Sequence, residues 1–368
     1  MRVLHVLNEL RSSGAEVGLE KAGGRWEELG IQSTILATGQ ERGPFASNLE
    51  RAGYEVRHLA FTGDARFLGS YARLIRRRDF DVVHVHTERA FVYLCLAARL
   101  AGAGVVRTIR ANYPFEGHLA RRRTWQRRIA RFAGTRFVAI SPSVAANERR
   151  RFRNPTWQID NWIDTEYFRP PSAEERLLAR GQLGVPDESF AVVTVANCAP
   201  VKNHTALLNA LAQLPDPWSW LHVGDEEAGL PERVQAERLG VLGSCRFLGR
   251  RDPLTALHAA DLFAMPSLYE GLGMATIEAL STGLPALLTD VPGNRDLAAL
   301  EAATRFCTTD SSGLAEGLHD ALHVARSFDD RDPGEQHDEI AGRYGVARGV
   351  SAYFEVYTEA AGSHLGLP

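Results

Sequence analysis

The sequence predicts an α/β protein built from two doubly wound parallel sheets. Three observations carry this. Short runs rich in Val, Ile, Leu and Thr alternate with longer amphipathic stretches along the chain, which is the pattern of βαβ units. The runs fall into two series of six, as in dinucleotide-type sheets. The 368 residues are too many for a typical single domain and suit two, and 45% hydrophobic residues are enough for sizeable cores.

In chain order, the first series of strands is RVLHVL (2–7), STILAT (33–38), VRHLAF (56–61), DVVHVH (81–86), VVRTIR (105–110) and RFVAIS (136–141). The second is FAVVTVA (190–196), SWLHVG (219–224), RFLG (246–249), LFAMPS (262–267), PALLTD (285–290) and TRFCTT (304–309). Helical segments fill most of the gaps. The stretch DNWIDTEYFRPPSAEE (160–175) carries Pro170-Pro171 and reads as a linker. This sets the expected domains at 1–165 and 166–345, followed by a terminal segment, 346–368, whose EVYTEAAGSHL is helical in character.

Composition narrows the function class. No run approaches 18 apolar residues, so no membrane span is expected. The start goes straight into a strand without the layout of a signal peptide. Cys95, Cys198, Cys245 and Cys307 are scattered and form no CxxC, as expected of reduced thiols in a cytoplasmic protein. Charge is split: residues 1–165 hold 27 Lys and Arg against 16 Asp and Glu, and residues 166–368 hold 15 against 29. A net +11 facing a net −14 suggests that the first half meets an anionic partner; the alternative is drift in a soluble surface. The basic run RRRTWQRRIARF (121–132) sharpens that choice. As a helix it clusters Arg121, Arg128 and their neighbours around a stripe of Trp125, Ile129 and Phe132. It either docks on anionic lipid headgroups or packs its stripe into the core and leaves a solvated basic face. Nothing resembles a nucleic-acid reading motif.

Ligands of parallel sheets sit beyond the carboxyl ends of the strands, so residues there are the candidates for chemistry. In SLYEGLGMATIEAL (267–280), Glu270 follows a strand, Gly271 and Gly273 let backbone approach a ligand, and a helix starts near Met274. Its free N–H groups suit a phosphate, and Glu278, about one turn in, suits the hydroxyls of a ribose. Taken alone, Glu270 is as well explained as a helix cap and Glu278 as a solvated residue. Lys202 follows another strand and is one of only two lysines, with Lys21, among 42 basic residues. A compact ammonium there suits a diphosphate. His84 and His86 share one side of a strand, and His86 lies near its carboxyl end, either at an acceptor or as a buried structural histidine. No third ligand is evident, so no metal site is read there. DFD (79–81) precedes its strand and lies at the wrong end of the sheet for a metal-binding DxD.

MPSLYEGLGMATIEALSTGLPALLTDVPG closely resembles the hallmark segment of the GT4-like family of retaining GT-B glycosyltransferases, with its paired glutamates eight apart. NELRSSGAEVGLEKAG is similar to that family's Gly-rich loop, IDNWIDTEYFRP to its linker, VVTVANCAPVKNHTALLNAL to its lysine segment and LHVGDEEAGL to its next strand end. The resemblance implies two Rossmann-like domains facing a cleft, with the terminal helix packing back toward the N-terminal, acceptor-binding domain. It implies a C-terminal domain that binds a nucleotide-sugar donor, most often a UDP-sugar. Transfer to a hydroxyl acceptor with retention is implied, as in bacterial surface-glycan assembly, without a required metal or other cofactor. Carried onto this chain, Lys202 and Glu270 are the catalytic positions. Gly14, Asn197, Arg250, Gly271, Leu272, Gly273, Met274, Ala275 and Glu278 complete the donor site. Ser13, His86, Arg110 and His118 are the candidates for a sugar, glycan or lipid-linked acceptor.

Three departures stand out. Asn197 takes the place of the family's phosphate-clamping arginine, which Arg250 or Arg251 would have to replace. Arg110 stands where a histidine is usual. Ser13-Gly14 replaces paired glycines. Each marks either an unusual acceptor or decayed activity. The rival readings are a sugar-nucleotide epimerase on the same fold, against which the glutamate pair speaks, and a degenerate homologue that binds a nucleotide or partner without turnover, for which Asn197 and Arg110 argue. The expected location is the cytoplasm, with the inner face of the membrane as a peripheral site.

Overall fold

The computed structural model describes residues 1–113, 115–300, 303–325 and 332–362. It divides into two units: Met1–Trp162 together with Tyr344–Pro368, and Ile163–Arg343. The first division falls a few residues before the expected 165. Trp162 is held in the first unit, where its indole N–H donates to Gly18 O at 2.9 Å.

The first unit holds strands β1 (Arg2–Leu7), β2 (Gln32–Ala37), β3 (Glu55–His58), β4 (Val82–Val85), β5 (Gly104–Ile109), β6 (Arg136–Ala139) and β7 (Trp157–Gln158). They pair in parallel in the order β3-β2-β1-β4-β5-β6-β7. The two-residue β7 adds a seventh strand to the six expected and comes from a stretch too short to show a period. The second unit holds β8 (Phe190–Val195), β9 (Trp218–Val223), β10 (Cys245–Phe247), β11 (Leu262–Met265), β12 (Ala286–Thr289) and β13 (Thr304–Cys307). Their order is β10-β9-β8-β11-β12-β13, again all parallel.

Both sheets are covered on two faces, so their strands read as near-continuous apolar runs. In β4, Val82 joins Val3, Leu7 and Val106 on one face, while Val83 and Val85 join Leu4, Val6 and Phe91 on the other. The terminal helix Val346–Gly362 lies on the first of these faces. Val350, Tyr353, Val356, Tyr357 and Ala360 recur at helical spacing and are all buried there. The helix runs so close to β5 that a Cβ on Gly104 would sit 2.5 Å from Ala360 O. The last residues of the expected terminal segment, 363–368, lie outside the described residues.

The helix Gly117–Phe132 corrects one reading. Its apolar stripe is not core: Trp125 is 61%, Ile129 47% and Phe132 97% exposed. Arg127 and Ala130 turn inward instead. Arg127 is buried because its Nε donates to Glu148 Oε2 at 2.7 Å and its Nη1 to Glu88 Oε1 at 3.3 Å. A buried cation is tolerated only with such partners.

Candidate active site

In each sheet the strand order reverses once, between β8 and β11 in one and between β1 and β4 in the other. Such a crossover leaves a crevice beyond the strand ends, because the two flanking loops diverge. Most of the candidate residues lie on loops near these two points.

In the second unit, the chain leaves β8 through Asn197, crosses a short 3-10 turn at Pro200–Lys202 and starts a helix at His204. Lys202 Nζ donates to Glu270 Oε1, which also accepts from Ser267 Oγ at 3.1 Å. The pair is mostly shielded, with side-chain exposures of 25% and 11%. Asn203, in the left-handed region at φ 57°, ties the two loops together. Its amide donates to Pro266 O at 3.1 Å and Thr309 O at 2.7 Å. Behind Glu270, Thr289 Oγ1 donates to Ser267 O at 2.5 Å, and Asn294 Nδ2 donates to Thr289 O at 2.9 Å. Gly293 packs directly on the turn: a Cβ there would lie 1.9 Å from Gly271 O. The turn Gly271-Leu272-Gly273 then leads into the helix Met274–Ser281. Leu272 and Gly273 are buried, whereas Gly271, Met274, Ala275 and Glu278 are partly exposed. On the other side of Lys202, Asn197 Oδ1 accepts from the Asp225 backbone N–H at 3.0 Å. Arg250 Nη1 lies 3.5 Å from Asp225 Oδ2, so Asn197 and Arg250 meet at one residue.

In the first unit, register places His5 on β1 opposite His84 on β4. The sequence reading of His84 and His86 lacked a third imidazole, and His5 supplies it. All six ring nitrogens are nevertheless engaged. Arg110 Nη2 donates to His86 Nδ1 at 3.1 Å, since a guanidinium can only donate. In neutral rings this makes His86 Nε2 the donor to His5 Nδ1 at 3.2 Å, and His5 Nε2 the donor to Ser33 Oγ at 3.3 Å. His84 bonds Tyr357 OH at 2.6 Å and Thr108 Oγ1 at 2.7 Å. Burial is the main cause that holds all three histidines below their ordinary range, His5 to about 3. In this arrangement the three rings are neutral and their nitrogens are taken up by hydrogen bonds.

Arg110 stands just past β5 and also reaches Asn161 Oδ1 at 3.4 Å. Its Nε is buried without a hydrogen-bond partner, and no carboxylate pairs with it among the described residues. Burial lowers its affinity for its proton, with Glu16 and other groups opposing. Ser13 caps the helix Gly14–Glu28 and donates to Glu16, whose carboxyl is pushed up mainly by burial. The structure therefore brings His86 and Arg110 together, with Glu16 beside them. It does not bring His118 there: that ring is exposed, and Nδ1 accepts from Arg121 Nη2 at 3.2 Å. His5, Glu16, Asn203, Ser267, Thr289 and Gly293 were not singled out from sequence. Their roles depend on strand pairing, for which only the neighbouring motifs gave a hint.

A profile for Glycosyltransferase Family 4 matches residues 12–167, and one for Glycosyl transferases group 1 matches residues 175–331. EpsF of Bacillus subtilis, named as a glycosyltransferase, is 26% identical over 327 residues, 83% of each chain. The Escherichia coli UDP-Gal:alpha-D-GlcNAc-diphosphoundecaprenol alpha-1,3-galactosyltransferase is 29% identical over 264 residues, 66% of each. HepE of Anabaena, solved in complex with UDP, superposes with a TM-score of 0.82 at 20% identity over 98% of this chain and 100% of that one. With family profiles matching on both sides of the linker and the fold shared end to end, the chain belongs to the GT4-like, group 1 glycosyltransferases of GT-B fold.

Proposed function

We propose that the protein transfers a sugar from a nucleotide-sugar donor, a UDP-sugar, to a hydroxyl of an acceptor with retention of configuration, in bacterial surface-glycan assembly. The observation that carries this is the Lys202–Glu270 pair at the β8/β11 crossover. Lys202 and the N–H groups at the start of the Met274–Ser281 helix meet the diphosphate. Glu270 orients the sugar hydroxyls, and Glu278 the ribose. As the sugar–phosphate bond breaks, the diphosphate leaves with the electron pair. The acceptor hydroxyl attacks from the same face and passes its proton to the leaving oxygen. Lys202 stabilises the growing charge, a preorganised role that asks no metal of the donor site. The UDP complex of HepE supports the choice of nucleotide.

On the acceptor side, Arg110 is half-buried, its Nε is sealed from solvent without a partner, and Glu16 lies near it without forming an ion pair, an arrangement that an anionic ligand group would satisfy. Arg110, with Ser13 and His86 nearby, is therefore read as the reader of an anionic group on the acceptor. The diphosphate named in the acceptor of the E. coli relative is of that kind. The exposed stripe of the Gly117–Phe132 helix and its arginines are read as a peripheral contact with an anionic membrane. No helix among the described residues is long and apolar enough to cross one.

The test is incubation with a panel of nucleotide sugars, following slow hydrolysis and then transfer to phosphate-bearing and neutral acceptors, with the product anomer read by NMR. Release of free nucleotide from no donor would overturn the reading. Interconversion of two sugar nucleotides without an acceptor would favour the epimerase. For the surface, sedimentation with anionic and neutral vesicles should show salt-sensitive binding to the anionic ones alone, lost when Trp125, Ile129 and Phe132 are changed to Ser.

A further inference from the structure

A second imidazole cluster lies in the second unit and differs from the first in one decisive respect. Cys198 follows β8, His204 opens the helix His204–Leu211, His222 stands near the end of β9, and Glu232 lies in the helix Pro231–Arg238. All four are buried, at 7%, 1%, 0% and 6% exposure. The ligand atoms of Cys198, His204 and His222 lie within 4.8 Å of one another. Glu232 Oε1 is 3.6 Å from His204 Nδ1. Tetrahedral zinc with bonds of about 2.0–2.3 Å has ligand–ligand edges of roughly 3.3–3.6 Å, so small side-chain rotations close the set.

Several polar atoms here are unsatisfied. Neither nitrogen of His204 has a hydrogen-bond partner, nor do His222 Nδ1 and Glu232 Oε2. His222 Nε2 donates to Ala196 O at 2.9 Å and lies 3.6 Å from Cys198 Sγ, while Nδ1 has no partner. An imidazole with one N–H held by a carbonyl and the other nitrogen free is the arrangement of a metal-ligating histidine. Leaving several buried polar atoms unmatched in one place is costly in a folded chain. In the His5–His84–His86 cluster every nitrogen is taken, and no such argument holds.

We propose that Cys198, His204, His222 and Glu232 bind a structural zinc ion. Mixed sulfur and nitrogen donors select zinc over magnesium or calcium, which prefer oxygen. All positions are filled by protein, as in a structural site rather than a catalytic one. The ion would tie the loop after β8 to β9 and the Pro231–Arg238 helix. That loop runs from Cys198 to His204 and contains Lys202, so the metal would brace the turn that aims the ammonium.

The inference goes beyond the transfer reaction and does not depend on it, because metal content is measured without turnover. The full-length protein is expressed in zinc-supplemented medium, purified without chelators and assayed by elemental analysis. About one zinc per chain is expected, and cobalt in its place should give the near-ultraviolet charge-transfer absorption of a cobalt thiolate. Cys198→Ser should abolish that absorption, and His222→Gln should lower zinc to below about a tenth per chain, with circular dichroism reporting the fold. Wild-type protein that carries less than about a tenth of a zinc and takes up no cobalt overturns the proposal, whether or not the variants fold. Unchanged zinc in folded Cys198→Ser and His222→Gln proteins overturns this ligand set.

Discussion

Replacing Lys202 by alanine is the sharpest test of the donor site. Lys202 is bonded to Glu270 and about a quarter exposed, so its field reaches the diphosphate through a medium drier than water. At about 4 Å and an effective dielectric near 20, a unit charge pair is worth about 4 kcal/mol. Only charge that develops between ground and transition states counts toward kcat. That places the loss at the scale of a removed oxyanion donor, about 10²–10³ in kcat, or roughly 2.7–4 kcal/mol. The substitution has a second effect. Among the described residues Glu270 then keeps only the Ser267 hydroxyl as a side-chain donor, and its charge faces the diphosphate unopposed. Lys202→Ala with Glu270→Gln should therefore lose less than the two single effects combined. Lys202→Arg should recover only part, because a planar fork does not occupy an ammonium's place. The assay is steady-state kinetics with donor and acceptor both varied. A Lys202→Ala enzyme with unchanged kcat and only a raised donor KM would refute the reasoning and move the role to Arg250 or Arg251.

Three further outcomes are expected. Glu278→Ala should weaken binding of the nucleoside diphosphate by calorimetry and leave the circular dichroism unchanged; equal affinity would remove Glu278 from the ribose pocket. Arg127→Ala leaves Glu148, at 0% exposure, with the Asn154 amide at 2.8 Å as its remaining side-chain donor, a loss of about 3–5 kcal/mol. At about 2–4 °C per kcal/mol for a unit of this size, thermal unfolding should come about 6–20 °C earlier. Pairing Arg127→Leu with Glu148→Leu should restore much of it, and a single-variant shift under 2 °C, to take roughly the smallest step on that scale, would contradict the burial. The third outcome concerns pH. His5, His84 and His86 have folded-state values below the unfolded one near 6.5, so their contribution is complete above about pH 6.5. It falls by up to about 1.4 kcal/mol per pH unit for each ring as acid protonates the unfolded chain first. For His5 the loss continues toward pH 3. Melts between pH 8 and 5 should show this decline, shallower in His5→Asn; a flat profile would exclude buried neutral rings.

The strand–helix alternation, the glutamate pair around its glycine turn and the lone lysine after its strand were legible in the sequence, because each is local. A β-branched run bounded by turn residues announces a strand, and a motif just beyond it must lie at the carboxyl end of a sheet. What the sequence could not decide was pairing. Only the order that sets β8 beside β11 brings Lys202 to Glu270, and only that of β1 beside β4 sets His5 against His84. The helix Gly117–Phe132 shows the same division. Its stripe of Trp125, Ile129 and Phe132 follows from helical period, but period alone does not say which side faces in. Glu88 and Glu148, brought in from 39 and 21 residues away in the chain, made burial of Arg127 favourable and turned the aromatic side outward. Likewise Cys198, His204, His222 and Glu232 carry no spacing that marks a metal site, since two strands and two helices have to pack before their ligand atoms converge. Local propensity depends on neighbours in the chain, whereas charge pairing and ligand convergence depend on neighbours in space, which only the tertiary fold supplies.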